Sequence, residues 1–109
     1  MTSITNIKKN VLGALEDIKA FDIISIDIRK QKSIADFIII ASASSSRQAN
    51  ALAENVKDKM QNINIPLIGI EGSSGSEWVL VDLGDIIIHI MTPTTRAHYN
   101  LEELWVSDN

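Results

Sequence analysis

The chain has 109 residues, no cysteine and a formal net charge of −4, which excludes disulfides, thiolate zinc sites and cysteine nucleophiles. No apolar run approaches the roughly 18 residues of a membrane helix, and no secretory signal pattern is present, so we expect one cytoplasmic domain over residues 1–109. The charge is uneven: residues 1–59 carry a net +2, whereas residues 60–109 carry a net −6 and only one basic residue, Arg96. The acidic half is a poor nucleic-acid groove and suits a basic protein partner.

The chain begins with a predicted helix and two predicted strands. The helix, residues 4–20, has apolar residues at helical spacing, namely Ile4, Ile7, Val11, Leu15 and Ile18. Residues 22–28 alternate as a strand, and we expect Ser25 and Asp27 on the face opposite to its isoleucines, away from the core. Residues 36–42 are apolar on both faces, which indicates an interior strand.

The middle of the chain predicts a second helix and a short strand. The helix is expected to open at Ser44–Arg47 with a serine N-cap, and its apolar stripe comprises Ala49, Leu52, Ala53, Val56 and Met60. Residues 66–71 read as a strand, and the glycine- and serine-rich segment 72–76 reads as a mobile loop. The start of the helix could also bind an anion, although every capped helix presents free N–H groups there.

Residues 78–91 predict a β-hairpin, because Gly84-Asp85 between two apolar runs fits a two-residue type II′ turn. The loop length fixes the register. On one face the expected pairs are all aliphatic: Leu83–Ile86, Val81–Ile88 and Val79–Ile90. On the other face the expected pairs are Asp82–Ile87, Leu80–His89 and Trp78–Met91. We expect the aliphatic face to be core.

The second face of this hairpin mixes a carboxylate, an imidazole, an indole and a thioether with aliphatic side chains. Aromatic residues and methionine are enriched in interface cores, so the mixture favours a sheet face that is partly open to a partner. The alternative is that a helix covers the face and that His89 is a hydrogen-bonded core histidine. Complete burial of Trp78, Leu80 and His89 within the chain would contradict the interface interpretation.

A last helix is predicted after Pro93, with apolar residues at helical spacing, namely Ala97, Leu101, Leu104 and Trp105. The resulting order is α-β-β-α-β-β-β-α. It implies an α/β fold of the two-layer α+β type, with a mixed five-stranded sheet and helices packed mainly on one face.

The patterns of common catalytic and metal sites are absent from the sequence. The two histidines, His89 and His98, stand on different elements, and Gly72-Ser-Ser-Gly-Ser76 lacks the spacing of a serine nucleophile elbow. No two acidic residues are spaced i, i+2, so the carboxylate pair with which a nucleotidyltransferase holds its metals is missing. We expect no catalytic residue, cofactor or metal, and a nucleotide-binding or nucleotidyl-transferring enzyme is the alternative.

Five segments carry a family signature: residues 22–27, residues 33–41, Gly69-Ile-Glu-Gly72, residues 78–91 and residues 96–105. Together they resemble the ribosomal silencing factor family, also known as the RsfS, YbeB or iojap-like group. The resemblance covers nearly the whole chain. Its most specific parts are residues 77–91 and the ending Tyr-x-Leu-Glu-x-Leu-Trp.

The resemblance implies a fold similar to nucleotidyltransferases without their catalytic carboxylates. It also implies a non-enzymatic factor that binds the large ribosomal subunit through the fourteenth protein of its L series, uL14. Docking there would block association with the small subunit and repress translation under nutrient limitation. The family implies a homodimer when free and no membrane or sequence-specific nucleic-acid partner. The alternative within this class is a helper of ribosome assembly without anti-association activity.

The family's Trp-x-x-x-Asp-x-Gly-Asp-x-x-x-His and Arg-x-x-Tyr patterns locate the expected partner-binding residues. These are Trp78, Leu80, Asp82, Asp85, His89, Met91, Arg96 and Tyr99. The apolar and aromatic members are expected to supply contact area, while Asp82 and Asp85, together with Glu77, would meet Lys or Arg of the ribosomal protein. The structural alternatives are that Asp85 completes the turn and that Arg96 pairs internally.

Overall fold

The computed structural model describes residues 3–30, 35–72, 75–101 and 103. Its elements are α1 (Ile4–Asp17), β1 (Phe21–Asp27), β2 (Phe37–Ser42), α2 (Ser46–Asn62), β3 (Gly69–Glu71), β4 (Trp78–Asp82), β5 (Ile86–Met91) and α3 (Pro93–Tyr99). The predicted order of helices and strands is confirmed. None of the described helices is long and apolar enough to cross a membrane.

The five strands form one mixed sheet in the order β1-β2-β5-β4-β3. Strands β2 and β5 are parallel, and every other neighbouring pair is antiparallel. Strand β2 is interior and all six of its residues are buried, as its continuous apolar run predicted. The predicted fold class is therefore confirmed.

The register of the β4–β5 hairpin is the one that its two-residue loop predicts. Val81 stands opposite Ile88 and Leu80 opposite His89, and the Leu83 N–H donates to the Ile86 carbonyl at 3.0 Å. Gly84 has a φ of 90°, whereas Asp85 stays outside the left-handed region. A positive φ at the first central residue alone is the type II′ pattern, which few residues other than glycine adopt.

The main core lies between the sheet and the helices α1 and α2. The aliphatic face of the hairpin belongs to it, since Val79, Val81, Ile86, Ile88 and Ile90 are at most 1% exposed. Two amides tie the helices together: Asn55 Nδ2 donates to the Ala14 carbonyl at 2.8 Å, and Gln48 Nε2 donates to the Ile18 carbonyl at 2.9 Å. The predicted core face is confirmed.

A second core cluster occupies the opposite face of the sheet, and it corrects the orientation predicted for β1. The cluster consists of Ile28, Ala35, Ile38, Ile40 and Met91, with Ile24, Ile26, Trp78, Ile87 and Leu101 packed against it. Ser25 pairs with Ile39 and Asp27 pairs with Phe37, so both polar residues point to the side of the main core, at an exposed sheet edge. Alternation separates the two faces of a strand but does not say which face the helices cover.

Helix α3 is the element that differs most from its predicted pattern. Ala97 is exposed and α3 has no buried side chain, although Leu101 just beyond it packs against the second core cluster. The helix ends because Asn100 adopts a left-handed conformation with φ 49°. Leu104 and Trp105 of the predicted stripe lie outside the described residues.

Candidate docking face

Four side chains of the hairpin are half-buried on the face of the sheet opposite to α1 and α2, and Asp82 is half-buried beside them. With Tyr99 of α3, they form what we call the open face: Trp78, Leu80, Asp82, Ile87, His89 and Tyr99. Tyr99 is the most exposed aromatic residue of the set, at 53%. Trp78, Leu80 and His89 are half-buried and not fully buried, so the interface interpretation stays a prediction.

Trp78 and His89 are joined by a side-chain hydrogen bond across the hairpin. The indole Nε1–H donates to His89 Nδ1 at 3.0 Å. This bond requires Nδ1 to be unprotonated, and burial lowers the pKa of His89 below its ordinary value of 6.5. His89 is therefore a neutral imidazole at pH 7 and accepts the indole N–H.

Tyr99 completes an aromatic cluster that draws on β4, β5 and α3. Its ring centroid lies 4.7 Å from that of Trp78 at an interplanar angle of 50°, and His98 meets Tyr99 edge-on at 5.0 Å. Tilted pairs at such distances are favourable aromatic geometries. The cluster provides a large apolar surface with little rotational freedom, which suits contact with a protein partner.

The acidic residues expected at the site have different surroundings. Asp82 Oδ1 accepts a hydrogen bond from the Gly84 N–H at 2.8 Å, so this carboxylate also shapes the turn. The Asp85 side chain is exposed, while its carbonyl accepts from the Asp36 N–H at 2.8 Å. Glu77 Oε1 accepts from Thr92 Oγ1 at 3.1 Å. Glu77 and Asp85 are both exposed, whereas Asp82 is half-buried.

Within the described parts of the chain, no group of three or more His, Asp or Glu residues is arranged to hold a metal ion. The start of α2 is closed by its own side chains, since Ser45 Oγ accepts from the Gln48 N–H at 3.1 Å and Gln48 Oε1 accepts from the Ser44 N–H. These bonds form a local cap that serves the helix itself.

Met91 shares this face of the sheet but is fully buried, which contradicts the contact role predicted for it. Its side chain is 0% exposed because it belongs to the second core cluster, against which Trp78 and Leu101 pack. Met91 does stand opposite Trp78, as the register predicted. The register identifies the face on which a residue lies. It does not show whether a residue later in the chain, such as Leu101, packs over it and buries it.

Arg96 was also expected to contact a partner, but its guanidinium is engaged within the chain. Its Nη1 donates to Ser42 Oγ at 2.8 Å and to the Asp22 carbonyl. The structural alternative, internal pairing, is therefore the one observed. Ile87 was missing from the expected site residues although it shares the open face, and its position opposite Asp82 in the predicted register was the signal that could have identified it.

Comparisons with known proteins identify the family to which the chain belongs. A family model described as "Ribosomal silencing factor during starvation" matches residues 2–109. The chain is 43% identical to the ribosomal silencing factor RsfS of Chromobacterium violaceum, over 94% of this chain and 84% of that protein. It is 36% identical to the RsfS of Bacillus subtilis, over 92% and 85%.

A crystal structure of a protein from Chromobacterium violaceum superposes with a TM-score of 0.92 at 42% identity, covering 95% of this chain and 87% of that one. A more distant relative from Mus musculus, "Mitochondrial assembly of ribosomal large subunit protein 1", is 31% identical over 87% of this chain and 43% of that protein. This chain belongs to the ribosomal silencing factor family.

Proposed function

We propose that this protein binds the large ribosomal subunit in the cytoplasm through uL14 and blocks its association with the small subunit. Translation is thereby repressed under nutrient limitation. Family membership supports the ribosomal role, and the resemblance of residues 78–91 supplies the partner. The observation that carries the proposal is the half-exposed aromatic and aliphatic open face, with half-buried Asp82 at its turn end.

The composition of the open face supports docking on a protein. Trp and Tyr are the residues most enriched among binding hot spots, and here Trp78 and Tyr99 are already packed together at 4.7 Å. Burial of the remaining exposed apolar area gives about 25 cal/mol per Å², which favours association. Asp82 and Asp85 at the turn would steer a basic ribosomal protein toward this face.

The proposed mechanism is steric and requires no chemical step. A bound domain that occupies the joining surface of the large subunit excludes the small subunit for as long as it stays bound. The inhibition of subunit joining then depends on the affinity and the residence time of the bound protein. No substrate is turned over.

The proposal is tested by adding the protein to purified large subunits before the small subunits and measuring the joined fraction. Wild-type protein is expected to abolish joining. Trp78→Ala removes the centre of the open face and is expected to weaken inhibition at least about tenfold, since central aromatic anchors contribute about 2 kcal/mol or more. Ile68→Ala is the matched control, because Ile68 is 70% exposed and lies outside the open face. Equal inhibition by Trp78→Ala and wild type would contradict the proposal.

A second candidate function is assistance in the assembly of the large subunit. The name of the mouse relative favours it, since that protein is called a factor for assembly of the mitochondrial large subunit. The joining assay separates the two functions. An assembly helper would sediment with large subunits and leave joining intact, whereas a silencing factor prevents joining when added first.

The free protein is, on this proposal, a homodimer. The half-exposed Trp78, Leu80 and Ile87 form an apolar surface that a second copy could cover. The family resemblance implies the same state.

A further inference from the structure

Among the described residues, α3 itself makes no fully buried apolar contact with the sheet, and the nearest apolar contact is that of Leu101 just beyond its end. The helix has seven residues, and none of its side chains is buried. Its described anchors are instead polar and aromatic. They are the Thr92–Glu77 hydrogen bond at its start, the Arg96 guanidinium in its middle and the Tyr99 ring at its end.

The Arg96 guanidinium joins α3 to both β1 and β2. The Ser42 hydroxyl that accepts from it at 2.8 Å is only 2% exposed. The second acceptor, the Asp22 carbonyl, lies where the β1–β2 register shifts between Phe21 and Ile24. Asp22 has a φ of 50°, so the backbone departs there from a regular strand. Hydrogen bonds from a charged donor are stronger than neutral ones, and of the two acceptors Ser42 is the one shielded from water.

Arg96 and Tyr99 are three residues apart, so they lie on neighbouring positions of the same helical turn. The Asn100 N–H donates to the Arg96 carbonyl at 2.8 Å and closes that turn. A guanidinium held on β1 and β2 therefore fixes the turn from which Tyr99 reaches Trp78.

We propose that Arg96 is a positioning residue of the open face. It holds α3 against β1 and β2 so that Tyr99 lies against Trp78 before a partner arrives, and Arg96 does not itself contact the partner. An aromatic pair ordered in advance loses less conformational freedom on binding. This inference rests on the proposed function for its effect on affinity, but the placement of Tyr99 can be tested without a ribosome.

The test uses two readouts on the full chain. The first is the indole N–H resonance of Trp78 by NMR, assigned by comparison with Trp105→Phe because the chain has only two tryptophans. The second is affinity for purified large subunits by co-sedimentation. Arg96→Gln retains similar helix propensity but shortens the side chain by two bonds, so the donor no longer reaches its acceptors.

Three further variants make the test specific. Ser42→Ala removes one acceptor and leaves Arg96 and the open face in place. Arg47→Gln is the matched control, since it removes an exposed arginine from α2 on the opposite side of the sheet. The double variant Arg96→Gln/Tyr99→Ala asks whether Arg96 acts through Tyr99, because a residue that acts through another adds little once that residue is gone.

We expect Arg96→Gln to shift the Trp78 indole resonance and to weaken large-subunit binding about tenfold. Ser42→Ala should change both readouts in the same direction but less, and Arg47→Gln should change neither. In the Tyr99→Ala background, Arg96→Gln should have little further effect on affinity.

Three results would overturn the inference. An unmoved indole resonance with lost binding would mean that Arg96 contacts the partner directly. A shifted resonance with unchanged binding would mean that the position of Tyr99 does not matter for docking. If neither the indole resonance nor the affinity changed, Arg96 would have no role in positioning Tyr99 or in binding. Failure of wild-type protein to bind large subunits would instead count against the proposed function, and the indole resonance alone would then decide whether Arg96 places Tyr99.

Discussion

At the scale of single residues, the open face depends on how its polar groups are satisfied. The Trp78 indole N–H is bonded to His89, so a partner meets the apolar ring of Trp78 and finds this donor already taken. The face that Trp78, Leu80 and His89 share was predictable from the hairpin register, but their partial exposure was not, because Met91 on the same face is fully buried. The internal role of Arg96 was not, because its acceptor Ser42 is 54 residues away in the chain and no local pattern links them.

His89 gives the protein an expected acid sensitivity. Burial lowers its folded-state pKa below 6.5, so the unfolded chain binds the proton more readily. The stability that the neutral imidazole provides is complete above pH 6.5 and is lost as the pH falls from there toward the folded-state pKa. The loss is at most about 1.4 kcal/mol per pH unit, the limit for one proton.

Urea unfolding at pH 7.5 and pH 5.5 measures this dependence. His89→Gln retains a hydrogen-bond acceptor without titrating and is expected to reduce the difference between the two pH values. His98→Gln is the control, because exposed His98 lies outside the hairpin. A pH dependence that survives in His89→Gln and disappears in His98→Gln would assign the effect to the wrong histidine.

At the scale of elements, the β4–β5 hairpin was the most predictable part of the fold. Its two-residue loop determines the register, and the register determines which side chains share a face. The orientation of β1 was not predictable in the same way. Its alternation is clear, but β1 is an edge strand whose isoleucines at positions 24 and 26 pack on the second core cluster. The alternation within such a strand does not show on which side of the sheet α1 and α2 pack.

The turn at Gly84 is expected to be sensitive to a single methyl group. Gly84 has a φ of 90°, and a Cβ there would lie 3.1 Å from Ile68 Cδ1. Gly84→Ala is therefore expected to lower the free energy of unfolding by about 1–2 kcal/mol.

Gly13→Ala is expected to change the free energy of unfolding in the opposite direction, because Gly13 lies inside α1 with nothing within 4 Å of its Cβ position.

Alanine at position 13 is expected to raise the free energy of unfolding by up to about 1 kcal/mol, since alanine favours helix over glycine. Thermal or urea unfolding of both variants checks the pair. If Gly84→Ala proved as stable as wild type, the turn would tolerate a side chain and would not be the feature that sets the hairpin register.

At the scale of the whole molecule, the two sides of the sheet differ in character. The helices α1 and α2, which cover the main core, carry five basic and four acidic residues and are therefore close to neutral. The open face on the other side combines aromatic rings with carboxylates near the turn, and the one basic residue of the acidic half, Arg96, is bonded to Ser42 and Asp22. The contribution of the acidic half to the open face is Asp82 beside its aromatic rings, which suits a basic partner.

Because the chain has no cysteine, a single introduced cysteine can carry a cross-linker to one defined position. Such a cross-linker tests directly whether the open face docks on uL14. Leu80→Cys places it on the open face, and Ile68→Cys places it at an exposed site outside that face. With purified large subunits, a cysteine at position 80 is expected to cross-link to uL14, whereas one at position 68 is not. Cross-linking to uL14 from position 68 but not from position 80 would contradict the assignment of the open face as the docking surface.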